Sequence, residues 1–124
     1  MGRVIRIGAA QLGPISLRDD RHEVVERMVT LLDHAAEDGC DLVVFPELAL
    51  TTFFPRWAMD DQAEIDSFFE AEMPGPATSE LFRAAKRHGI GFCLGFAELA
   101  TDSGGARRHY NTALLVDADG NEVG

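Results

Sequence analysis

Apolar residues recur along this chain at two different spacings. Val4 to Leu12 is rich in Val, Ile and Ala and closes at Gly13-Pro14, which predicts a first buried strand. From Val24 the period lengthens: Val24, Met28, Leu31 and Ala35, with Val25, Leu32 and Ala36 alongside, form a helical stripe that ends at Gly39. Asp19 and Asp20 precede it as N-cap candidates, so a core-facing helix is expected. Leu42 to Phe45 is apolar at every position, as in a strand covered on both faces inside a parallel sheet. A right-handed crossover through the helix follows.

The second half repeats the unit. Asp60 to Glu72 sets Ile65, Phe68 and Phe69 on one face of a solvated amphipathic helix. Met73-Pro74-Gly75-Pro76 breaks the chain, and Pro76 opens a helix whose Leu81, Phe82 and Ala85 point inward before Gly89 stops it. Ile90 to Ala97 reads as a third strand, Thr101 to His109 as a polar loop, and Tyr110 to Val116 as a fourth strand ending in the turn Asp117-Ala118-Asp119-Gly120. Alternating strands and helices predict an α/β fold. The final turn announces a partner strand for which only Asn121 to Gly124 remain, so residues 1–124 are expected to be the N-terminal portion of an incomplete domain. A short edge strand is the alternative.

Composition removes several functions. The 124 residues are 46% hydrophobic and 26% charged, without repeats or low-complexity tracts, which is the make-up of a globular protein. A formal charge of -10 gives no footprint for nucleic acid or an anionic membrane. No apolar run approaches the roughly 18 to 20 residues that span a bilayer, and Met1-Gly2-Arg3-Val4 leads into a strand pattern, so a cytoplasmic protein is expected. Cys40 and Cys93 are too few for a disulfide framework and read as reduced, buried thiols. His22, His34, His88 and His109 lack ligand spacing, so no metal is expected. Gly89 and Gly91 fail the dinucleotide fingerprint because Leu94 holds its last glycine position, and Gly8 with Gly13 lacks the Lys-Ser/Thr of a phosphate loop. Asp117, Asp119 and Asn121 mimic a calcium loop, but Glu122 stands where its glycine belongs. No cofactor is expected.

Glu47 is the candidate catalytic residue. It follows the strand Leu42 to Phe45 and the rigid Pro46, and reacting groups in open α/β sheets gather just past the carboxyl ends of strands. A surface glutamate in a strand-to-loop turn is the plainer alternative. Behind it, Thr51 to Trp57 places Phe53, Phe54 and Trp57 in a loop that either lines a pocket or covers the sheet edge. Arg56 would either grip a substrate carboxylate or pair with Asp60 or Asp61.

Phe45-Pro46-Glu47-Leu48, after a strand-helix-strand opening with Gln11 in the first strand, resembles the nitrilase superfamily of carbon-nitrogen hydrolases. The thirteen residues from Phe45 to Trp57, with Glu72-Met73-Pro74-Gly75-Pro76 and Tyr110-Asn111-Thr112, are similar to those of N-carbamoyl-D-amino-acid amidohydrolases within it. The resemblance implies the N-terminal part of an α-β-β-α sandwich that forms homo-oligomers when complete. It also implies a Glu-Lys-Cys mechanism on a small N-carbamoyl amino acid, with Glu47 as the base toward a cysteine thiol and a lysine steadying the oxyanion. Lys86, Cys40 and Cys93 do not match the family's lysine and nucleophile, which lie downstream of the segment matched here. Residues 1–124 alone would then be inactive and prone to self-association. Two further readings stay open: a noncatalytic α/β module derived from the superfamily, and a superfamily amidase for another amide or ureido acid.

Overall fold

A computed structural model describes residues 2–124. The elements run β1 (Ile7–Ala9), α1 (Arg21–Glu37), β2 (Leu42–Val44), a 3-10 turn (Phe54–Arg56), α2 (Gln62–Asp66), α3 (Ser79–His88), β3 (Gly91–Thr101) and β4 (Arg107–Val116). They build one sheet in the order β1-β2-β3-β4, parallel through β3 and closed by an antiparallel β4, so the expected α/β class is found with a mixed sheet.

Local chemistry sets the helix ends. Asp20 accepts from the backbone of His22 and Glu23 while the Glu23 side chain accepts from the Asp20 backbone N–H, a capping box worth about 1 kcal/mol. α3 stops at Gly89, whose φ of 64° an L side chain would resist. α1 and α3 pack side by side on one face of the sheet. Val24, Met28 and Leu32 from α1 and Leu81, Ala84 and Ala85 from α3 are buried against Val43, Phe92, Leu94 and Phe96. The Phe92 ring lies edge-on to Phe82, with centroids 5.1 Å apart. No helix is long and apolar enough to cross a membrane among the described residues.

Several boundaries differ from expectation, and pairing explains most of them. The first strand shrinks from Val4–Leu12 to Ile7–Ala9, because among the described residues it lies at the sheet edge and pairs with β2 alone, over three register positions. Val4 and Ile5 are therefore exposed, and Gln11 lies beyond the strand. β2 ends at Val44, one residue before Phe45. The helix expected over Asp60–Glu72 is reduced to Gln62–Asp66, since Phe68 and Phe69 leave helical register to pack on Phe54, at 4.8 and 5.4 Å between centroids. Pro76 begins a turn, and α3 starts only at Ser79. The loop expected from Thr101 to His109 narrows to a tight connection, because Leu99, Ala100 and Thr101 pair with His109, Arg108 and Arg107. Within α1, Leu31 and Ala35 are partly buried. Cys40 and Cys93 are free thiols, each half-buried instead of buried.

Candidate functional site

At the carboxyl end of β2 the chain leaves the sheet and returns three residues later. Phe45 N–H donates to the Cys93 carbonyl at 2.9 Å, and Ala49 N–H donates to the Gly95 carbonyl at 2.8 Å. Pro46, Glu47 and Leu48 arch between these two anchors, directly over Gly95. A Cβ on Gly95 would stand 2.8 Å from both Glu47 Cα and the Pro46 carbonyl oxygen, so the absence of a side chain is what lets the arch sit down. Leu48 takes φ of 47°, a left-handed conformation that costs a leucine roughly 1–2 kcal/mol. Burial of its side chain against Phe54 and Ala97 offsets that cost.

The Glu47 side chain emerges from this arch, exposed, at a cavity of about 290 Å³. Leu48, Phe53, Phe54, Phe69 and Ala97 supply most of its apolar wall, and Glu47, His109 and Asn111 its polar groups. Asn111 Nδ2 donates to Glu47 Oε1 at 2.6 Å. The sheet delivers that contact: Asn111 stands opposite Ala97, and Leu99 opposite His109, so Ala97, Asn111 and His109 share one face of the β3–β4 hairpin. The His109 ring meets Phe69 edge-on at 4.7 Å, and its Nε2 lies 2.6 Å from Asp66 Oδ1. Arg107 also pairs with Asp66. The hydrogen bond from His109 holds the Asp66 carboxyl below its ordinary value, helped by Gln62 and by the His109 and Arg107 charges.

The loop behind Glu47 both lines and covers. Phe54 is buried beneath the arch, while Phe53 and Pro55 border the cavity. Arg56 forms no ion pair with Asp60 or Asp61 among the described residues; its guanidinium lies over the Trp57 ring, 4.4 Å from the centroid. A second cavity, of about 230 Å³, lies on the other face of the hairpin among Glu70, Glu98, Thr112 and Glu122. There Thr112 Oγ1 donates to Glu98 and Arg21 pairs with Glu70, so these two acids already have structural partners. His109 is exposed, and it borders the same cavity as Glu47. Asn111 stood in the sequence only as part of a motif; extending β4 to Arg107 and counting in twos would have brought both residues to the same face.

The sequence model of the family described as carbon-nitrogen hydrolase matches residues 6–124. A nitrilase of Paraburkholderia phymatum is 33% identical over 98% of this chain and 35% of its own length. An aliphatic nitrilase of Rhodococcus rhodochrous is 30% identical over 95% of this chain and 32% of its own. The chain thus spans about a third of the length of these relatives. Among solved structures, an amidase from Nesterenkonia sp. superposes with a TM-score of 0.71 at 23% identity, covering 97% of this chain and 41% of that one, a likeness of fold.

Proposed function

Because the chain belongs to the carbon-nitrogen hydrolase family, we propose that Glu47 is the general base of a hydrolase that converts N-carbamoyl-D-amino acids to D-amino acid, ammonia and carbon dioxide. The observation that carries this reading is a carboxylate held at the mouth of a largely apolar cavity by one neutral donor. In this reading the Glu47 carboxylate takes the proton of a cysteine thiol, and the thiolate adds to the ureido carbon. The C–N bond to the terminal nitrogen breaks and ammonia departs with a proton. Water activated by the same carboxylate then cleaves the thioester-like intermediate, and the released carbamate loses carbon dioxide. A ureido carbon is a poor electrophile, so a lysine ammonium at the developing oxyanion completes the requirement.

Cys40, Cys93 and Lys86 do not border the Glu47 cavity: Cys40 packs against Gly8, Cys93 lies within β3, and Lys86 lies against Gly120. The proposal therefore assigns the thiol and the ammonium to residues outside 1–124. The aromatic loop after Glu47 gives the cavity an apolar wall suited to an amino-acid side chain.

Glu47→Gln keeps the size of the side chain and removes its basicity. In the complete hydrolase, turnover should fall about 10²- to 10⁴-fold while the melting temperature stays unchanged; near-normal turnover would discard the role. A second reading takes support from the relatives above, which are nitrilases. Assay of N-carbamoyl-D-amino acids, their L enantiomers, simple amides and nitriles separates the two. Turnover of nitriles alone would move the substrate class and keep Glu47 as base.

A further inference from the structure

We propose that Asn111 is the positioning residue of the Glu47 carboxylate, an inference that rests on reading Glu47 as the general base. The backbone of Glu47 is fixed by the two ladder bonds and by its seat on Gly95, but its side chain is exposed and has several rotatable bonds. A base that swings misses its proton donor. Asn111 Nδ2, 2.6 Å from Oε1, ties that side chain down, and among the described residues no other group donates to it. Facing a carboxylate, only the nitrogen end of the amide makes a bond, so the orientation of the amide is not in question.

The chemistry of the donor matters as much as its place. An arginine or lysine here would form an ion pair and compete with the nucleophile's proton for the carboxylate. An aspartate would set a second carboxylate against the first. A neutral amide orients Oε1 and leaves Oε2 to accept a proton. Asn111 is itself held by the hairpin: it stands opposite Ala97, and the next residue, Thr112, is bonded through its hydroxyl to Glu98 on the other face. Two segments 64 residues apart in sequence are thereby brought into one carboxylate–amide pair.

The test compares wild type, Asn111→Leu, Glu47→Gln and the double variant in the complete hydrolase, reading kcat, KM, melting temperature and the rate at which iodoacetamide alkylates the nucleophilic thiol. Asn111→Leu keeps the shape and removes the donor. Its kcat should fall about 10- to 100-fold, the size of effect expected when a reacting group is misplaced by about 1 Å, with KM within about threefold and alkylation slowed in parallel. In the Glu47→Gln background the same substitution should slow alkylation no further. An unchanged kcat in Asn111→Leu overturns the proposal, and so does an equal loss in both backgrounds, which marks a merely structural residue. If Asn111→Leu fails to fold, Asn111→Ser carries the same comparison and the same outcomes. Failure of the underlying reading is distinct: Glu47→Gln itself would then turn over normally.

Discussion

Two neighbouring rows of the sheet, one residue apart on every strand, meet opposite fates. Gly8, Val43, Phe92 and Val116 stand in register across β1 to β4, and so do Ala9, Val44, Cys93 and Leu115. In the first row Val43 is 1% exposed, and Phe92 and Val116 are fully buried; in the second, Val44 and Leu115 are each 39% exposed. Both rows are apolar. What separates them is cover, since α1 and α3 lie over the first and no element of residues 2–124 lies over the second. Strands apolar on both faces are built for two covers. The Glu47 arch sits on the less covered side, over Gly95, at the margin where Phe54, Phe68 and Phe69 begin to shield the sheet.

The comparison breaks most visibly through paired truncations. Phe92→Ala removes a ring packed edge-on against Phe45 and Phe82, and should cost about 3–5 kcal/mol in urea unfolding. Leu115→Ala, in the exposed row, should cost less than about 1 kcal/mol in residues 1–124. If the two costs were equal, the second row would be covered in the molecule under test. A smaller effect sharpens the position of the arch. Gly95→Ala forces the new methyl against the Pro46 and Glu47 backbone, costing about 1–3 kcal/mol, and should lower turnover in the complete hydrolase more than a remote substitution of equal stability cost. Unaltered turnover would show that the arch relaxes without moving its carboxylate.

What the sequence disclosed was what neighbouring residues decide. The helical stripe of α1, its cap at Asp20, the stop at Gly89 and the strand-end place of Glu47 depend on spacings of a few residues, and all are found. The failures involve distant partners. Arg107, Arg108 and His109 look like a loop because they are polar, yet they pair with Thr101, Ala100 and Leu99 and extend the hairpin. Phe68 and Phe69 sit at helical spacing from Ile65, yet the stack on Phe54 draws them out of a helix. Val4 and Ile5 have strand propensity but, among the described residues, no strand to pair with. The partner of Glu47 was hidden for the same reason, since nothing near Asn111 in sequence points to an arch formed 64 residues earlier.

The smallest expected effect concerns the shield beside that arch. Asp66 receives the His109 side chain and pairs with Arg107, joining α2 to the start of β4. Its carboxyl is held below the ordinary value near 3.8, chiefly by the His109 hydrogen bond. A lowered native pKa means that the unfolded chain binds the proton more readily. The stabilising contribution is then complete above that ordinary value and is lost as the pH falls through the lowered one. Asp117, lowered by the Asn121 backbone N–H, contributes in the same direction at the far end of β4, so wild type alone cannot isolate Asp66. Asp66→Asn keeps a polar group of the same shape and removes the titration. The wild-type advantage over this variant, read from urea midpoints, should be present above the ordinary carboxyl value and shrink in the acid range below about pH 4. An advantage independent of pH would mean that Asp66 holds α2 to the hairpin by shape and not by charge, and would place the acid sensitivity of this face at Asp117.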